Sequence, residues 1–166
     1  MYIILTQCFP SRVGGIESVV SNLALSLGKK NTVIILADRH NIFYDAIFDN
    51  KHKDNIVVRR FGGLKFFRRR RKIKELKLLI KSSQAKLVIA DTWKSLELCI
   101  DYLITNNISI MCLAHGNELI SDKEYKQNRI VSTLAKTTTI VVNSNYTANL
   151  VKKLIKDKGQ INVIYP

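Results

Sequence analysis

Short runs of Ile, Val and Leu alternate with amphipathic stretches along the whole chain, and this alternation restricts the fold more than any other feature. The apolar runs are Tyr2–Thr6, Thr32–Leu36, Ile56–Arg59, Leu87–Ala90, Ile108–Leu113, Thr139–Val142 and Asn162–Ile164. Each is close to continuous, as expected for strands buried on both faces of a parallel sheet. Helical spacing falls between them, at Ile16–Leu27, Arg69–Ser82, Ser95–Thr105, roughly Asp122–Lys136 and Asn145–Lys156. Strands alternating with helices predict an α/β fold: a Rossmann-like, doubly wound, mostly parallel sheet of about seven strands. The first helix should bury a stripe of Ile16, Val19, Val20, Leu23 and Leu27. Leu96, Cys99, Ile100 and Leu103 should pack in the core from a single helix. The polar stretch Asp38–Asn55 reads as a long irregular loop with a short element at Ile42–Phe48.

A chain of 166 residues, 46% of them apolar, is one domain spanning 1–166 with enough material for a core. No apolar run approaches the roughly 20 residues that cross a bilayer. The start, MYIILTQ, reads as a buried strand rather than a signal peptide. Cys8, Cys99 and Cys112 are odd in number, lie in apolar stretches and lack metal-ligand spacing. They predict reduced, inert thiols in a cytoplasmic protein.

Between the first two strands lies FPSRVGGIESVVSNLALSL, Phe9 to Leu27. The order is strand, glycine loop, helix start. The first N–H groups of a helix lack intrahelical partners, and with the helix dipole they favour a phosphate. Gly14 and Gly15 let a ligand approach the backbone closely, although two glycines also make a plain tight turn. Proline, Gly-Gly and then Glu17 ahead of an apolar helix resemble the start of the retaining glycosyltransferases of family 4, which have the two-domain GT-B architecture. IADTW (Ile89–Trp93), LAHGNE (Leu113–Glu118) and VVNSNYT (Val141–Thr147) agree with that family in order and spacing.

The resemblance implies the N-terminal, acceptor-side half of such an enzyme. The C-terminal domain, with most of the nucleotide-sugar site and its paired glutamates, is absent from this sequence. It implies that Gly14 and Gly15 meet the donor diphosphate and that His115 contacts the transferred sugar or phosphate as the catalytic histidine. Glu17, Asp91, Trp93, Gly116, Asn117, Glu118 and Ser144 would line the acceptor side or rim. All of these follow strands, so they are expected at one carboxyl edge of the sheet, where such folds bind ligands. Trp93 also suits a core position, His115 a cap on the next helix, and Ser144 with Thr147 a helix cap. His40 and His52 have no comparable context. The family implies no divalent metal and no cofactor beyond the nucleotide-sugar substrate.

Charge adds a partner. Lys and Arg number 27 against 13 Asp and Glu, a net of +14. Phe66, Phe67, Arg68, Arg69, Arg70, Arg71, Lys72 and Lys74 open an amphipathic basic helix with Ile73, Leu76, Leu79 and Ile80 facing the sheet. Aromatic flanks and clustered cations suit docking on the inner, anionic face of a membrane; a solvated helix face is the plainer reading. The function expected is sugar transfer, with retention, to a membrane-associated glycan or lipid. Two other classes stay open: a basic nucleic-acid-binding protein, and a flavodoxin-like regulatory domain. The first lacks aromatics interleaved with the cations. The second lacks the G-x-G-x-x-G spacing of a dinucleotide site.

Overall fold

A computed structural model of the chain describes residues 1–82, 85–156 and 159–165. Among these, strands β1 (Tyr2–Thr6), β2 (Val33–Asp38), β3 (Val57–Phe61), β4 (Leu87–Ala90), β5 (Ser109–Ala114), β6 (Thr139–Val142) and β7 (Gln160–Val163) form one sheet. Its order is β3-β2-β1-β4-β5-β6-β7. This is the Rossmann-like arrangement that the sequence pattern predicts. The helices are α1 (Gly15–Gly28), α2 (Ile42–His52), α3 (Lys65–Ser82), α4 (Trp93–Leu96), α5 (Ile100–Thr105), α6 (Glu124–Leu134) and α7 (Asn145–Ile155). The terminal Pro166 lies outside the described residues.

The chain divides into two compact units, Met1–Val88 and Ile89–Pro166. In the first, β1 pairs β2 in parallel from Tyr2↔Val33 to Thr6↔Ala37, and β2 pairs β3 from Ile34↔Val57 to Asp38↔Phe61. Ile3, Ile4, Leu5, Ile35 and Leu36 are fully buried, with Val20, Ala24 and Leu76 of the covering helices. A Cβ on Gly28 would stand 2.3 Å from the carbonyl oxygen of Asn55, so only glycine lets the end of α1 come this close to the chain entering β3. In the second unit β5 pairs β6, and β6 pairs β7, again in parallel. Its core is Trp93, Leu96, Leu103, Ile110, Cys112, Ile130, Leu134, Ile140 and Val151.

Three expectations need correction. Asp38 closes β2, and residues 42–52 form a full helix rather than a loop with a short element. Its N-cap is Asn41, whose side chain accepts from the Phe43 and Tyr44 amides. The helix expected over Ser95–Thr105 is broken into α4 and α5, because Cys99 leaves helical backbone (φ −131°, ψ −6°). Leu96, Cys99, Ile100 and Leu103 are nevertheless all buried. In α1 the buried residues are Glu17, Val20, Ser21 and Ala24, while Val19 is 43% exposed. The small Ser21 and Ala24 sit against the core, and the larger Val19 falls on the opposite arc of the helix.

Candidate active site

In the first unit, the loop after β1 leads into α1 through Gly14. Gly14 is extended (φ 169°, ψ 170°), and its carbonyl receives the first intrahelical bond, from the Ser18 amide. A Cβ on Gly14 would lie 2.3 Å from Glu17 Oε2, whereas nothing lies within 4 Å of a Cβ on Gly15. Glycine at 14 is therefore explained by packing inside the protein, and glycine at 15 is not. Glu17 is 5% exposed and pairs with Arg12 (Nε–Oε1 2.9 Å), placing a carboxylate in the first turn where the dipole favours it.

The loop is anchored by a residue that the sequence pattern does not single out. Asp45 of α2 is 2% exposed. It accepts from the Ser11 hydroxyl (2.7 Å), the Ser11 amide (3.2 Å), and the His40 and Asn41 amides (2.9 and 3.3 Å). Arg60 of β3 lies 3.5 Å away. Arg60 also pairs with Asp49, donates to the Pro10 carbonyl and stacks over Phe9. Burial pushes the Asp45 carboxyl up, but the hydrogen bonds from Ser11 and His40 and the Arg60 charge outweigh it, holding the group below the usual aspartate range. The one sequence signal is an acid set among apolar residues at helical spacing.

The basic helix is only partly free. α3 starts at Lys65, so Phe66 and Phe67 are helical rather than flanking, and they are 57% and 59% exposed. Lys72 is 4% exposed: its ammonium donates to the Thr6 carbonyl (2.6 Å) and pairs with Asp38 (2.5 Å). Arg68 pairs with the same Asp38 at 2.9 Å and donates to the Gly63 carbonyl, and Arg71 donates to the Gly62 carbonyl. Lys72 is thereby removed from the expected docking set, because its buried ammonium neutralises the partly buried Asp38 at the ends of β1 and β2. Arg70, over the Phe66 ring at 4.1 Å, and Lys74 stay exposed. A cavity of about 380 Å3 in this unit lies between Lys30–Val33 and Lys53–Val57, where β2 and β3 begin, at the opposite sheet edge from the glycine loop.

In the second unit the predicted residues after β4, β5 and β6 meet one another. His115 Nε2 lies 3.0 Å from the Asp91 carbonyl. A carbonyl only accepts, so Nε2 carries a proton and donates to it, which leaves Nδ1 as the ring nitrogen not engaged by this bond. The His115 amide donates to Glu118 Oε1 (2.7 Å), and the Trp93 indole donates to the Glu118 carbonyl (3.1 Å). Gly116 holds φ 100° and is buried; a Cβ there would also press on Thr147 Oγ1 at 3.2 Å. Thr147 bonds Asn143 and Ser144, and Ser144 caps α7 by accepting from the Thr147 amide (3.2 Å). Asn117 is exposed and opens a short 3-10 turn.

Trp93 and Asp91 are 1% and 0% exposed, so neither side chain faces solvent; the indole is core, and Asp91 accepts from Ser95 Oγ (2.6 Å). Cys99 and Cys112 are buried, but Cys8 is only half-buried. Burial, and then the Asp91 and Glu118 carboxylates, push the Cys112 thiol up, which keeps it protonated and unreactive. Among the described residues no group of three or more His, Cys, Asp and Glu could hold a metal ion, and no helix is long and apolar enough to cross a membrane.

The profile of Glycosyltransferase Family 4 matches residues 13–166. HepE of Anabaena, solved with UDP, superposes with a TM-score of 0.67 at 14% identity, covering 99% of this chain and 43% of HepE. The lipopolysaccharide outer core galactosyltransferase WaaB, in its apo form, gives 0.64 at 17% identity, over 99% of this chain and 45% of WaaB. A carbohydrate kinase from Agrobacterium tumefaciens gives 0.64 at 10% identity, over 98% and 70%. At these identities the likeness is one of fold. The chain spans less than half the length of HepE and WaaB. No curated protein matches it.

Proposed function

Because the chain belongs to glycosyltransferase family 4, we propose that it is the acceptor-side domain of an enzyme that moves a sugar, with retention, from a nucleotide-sugar donor to a membrane-associated glycan or lipid. The observation that carries this is the family match across residues 13–166, which begins inside the glycine loop. A UDP-sugar is the first donor to assay, since HepE has been solved with UDP-glucose. A glycolipid is the first acceptor, since WaaB is a lipopolysaccharide galactosyltransferase.

The proposed chemistry follows from the groups present. Breaking the sugar–phosphate bond develops negative charge on the leaving diphosphate. The orphan amides of Gly15, Ile16 and Glu17 at the start of α1 supply fixed dipoles for that charge. Open space at Gly15 supports a ligand approaching the backbone there. His115, its Nε2 held by the Asp91 carbonyl, offers Nδ1 to a sugar hydroxyl and orients the donor. Asn117, Glu118 and Ser144 shape the rim, and Phe66, Phe67, Arg70 and Lys74 hold the domain to an anionic, cytoplasmic membrane face.

The test is transfer of labelled sugar from UDP-glucose and UDP-galactose to a lipid extract, with the anomeric configuration of the product read by proton NMR. Transfer with retention is expected when a donor-side domain is present on the same polypeptide or in trans. Sustained turnover by these 166 residues alone overturns the half-enzyme reading, and an inverted product overturns retention.

A further inference from the structure

Helix α2 is built inside out. A surface helix normally turns its apolar stripe to the core and its charges to water. Here Ile42, Phe43, Ala46 and Ile47 share the outward arc, and the three large ones are 74%, 68% and 51% exposed. Tyr44 flanks them at 60%. The opposite arc carries Asp45, Phe48, Asp49 and His52, and Asp45 is buried. Both acids of the helix are held by Arg60, so neither projects outward. The exposed charges next to this arc are Arg39, Lys51 and Lys53, with one acid, Asp54, in the turn after the helix. An exposed apolar face that carries no outward acid of its own and is bordered by three cations against one acid is the composition of a helix lying in a lipid headgroup boundary.

The neighbourhood agrees. The paired strand ends Asp38↔Phe61 send out both α2 and α3, so the exposed Phe66, Phe67 and Arg70 start from the same sheet edge. Val13, 96% exposed, belongs to the glycine loop, and Ser11 of that loop is bonded to Asp45. The outward apolar turn and the inward clamp on the glycine loop are therefore two sides of one helical turn.

We propose that the outer face of α2 is a second membrane-contacting element, entering the headgroup boundary of an anionic bilayer beside α3 and thereby fixing the glycine loop through Asp45. This rests on the membrane reading above and deepens it: α3 supplies electrostatic attraction, and α2 supplies apolar insertion. A second copy of the chain, or another protein, is the competing occupant.

The experiment uses the full 166-residue chain with vesicles of phosphatidylcholine, with and without phosphatidylglycerol. Phe43→Trp should shift its emission to the blue and become shielded from iodide only with the anionic vesicles. Ile42→Ser with Phe43→Ser should weaken partitioning by roughly 10-fold or more, the scale of losing two partly inserted apolar side chains. It should do so with an unchanged melting temperature, since both residues are exposed. Hydrogen exchange at residues 11–16 should slow on vesicle binding, and Asp45→Asn should abolish that slowing. If Arg70→Ser with Lys74→Ser abolishes binding while the α2 double variant binds as the parent does, the α2 proposal is overturned and the membrane reading stands. If the parent ignores anionic vesicles, both fall. A lipid-independent dimer dissolved by the α2 double variant overturns the proposal in favour of a second copy.

Discussion

Residues 1–88 carry 18 Lys and Arg against 6 Asp and Glu, whereas residues 89–166 carry 9 against 7, net charges of +12 and +2. The two units share parallel α/β construction, yet they hold their loops with different chemistry. In the first, partly buried ion pairs do it: Arg60 between Asp45 and Asp49, and Asp38 between Lys72 and Arg68. In the second, most of the fixing donors are the Trp93 indole, the His115 ring and amide, and the Ser95, Ser144 and Thr147 hydroxyls or amides, while its ion pairs, Arg129–Glu97 and Lys136–Asp101, use cations that are about half exposed. A strongly cationic unit must neutralise the few acids it buries, and each such acid becomes a hub on which several loops depend. A nearly neutral unit spreads the same task over many smaller bonds.

That contrast breaks most easily at Arg60. Arg60→Met should destabilise the first unit by about 3–5 kcal/mol, because it leaves two carboxylates with their main cation gone, one of them fully buried. Hydrogen exchange resolved by unit should show the loss in β1–β3 and leave β5–β7 protected. A loss below about 1 kcal/mol would mean that Asp45 is satisfied by amides and hydroxyls alone, and the charge contrast would not govern stability.

The second unit offers a matched pair of neighbours. In the complete enzyme His115→Ala should lower turnover by roughly 100-fold, about 2.7 kcal/mol of barrier, the scale of one oriented group at a reacting centre. Melting should shift little, since only one ring hydrogen bond is lost. Gly116→Ala should do the reverse. A φ of 100° is strained for any L side chain, so a cost of about 1–3 kcal/mol in stability is expected. An alanine at 115 that melts early with full specific activity would make His115 a structural cap.

What the sequence exposed and what it hid follow the same division. Strands β1, β4 and β6 coincide with the apolar runs because strands buried on both faces leave no ambiguity of period. The second unit's motif residues come together around His115 because each follows a strand and local rules of capping place it. In the first unit the hub was invisible. α2 turns its apolar residues outward, so hydropathy read it as loop, and nothing local marks Lys72 as the one cation of its run that turns inward. Long-range pairing of unlike charges has no period to read. Gly116 was legible as part of a motif but not as a positive-φ residue, and the contact that a Cβ there would make with Thr147, distant in sequence, has no local signal either.

Acid should sharpen the comparison by a smaller amount. The Asp45 carboxyl titrates below its unfolded value of about 3.9. Its contribution is thus whole above about pH 4 and is lost as pH falls through the lower folded value. The first unit should lose stability in that window, and Asp45→Asn should flatten the slope. The effect is modest because burial opposes the donors. Equal acid sensitivity in parent and Asp45→Asn chains would place the acid-labile group elsewhere.

The smallest effect on folding, and the one that separates architecture from chemistry most cleanly, belongs to Gly15. Gly116 is glycine because its own backbone demands it; Gly15 meets no such demand, with open space where a Cβ would stand. Gly15→Ala should therefore change stability by no more than about 0.5 kcal/mol, in either direction, since alanine favours a helix over glycine. Gly14→Ala should cost more, by pushing the buried Glu17 carboxylate off Arg12. If the amides of α1 receive a diphosphate, Gly15→Val should weaken donor use in the complete enzyme while the melting curve stays in place. Parent-like kinetics with a bulky residue at 15 would leave the glycine pair as a plain turn and move the donor phosphates away from this loop.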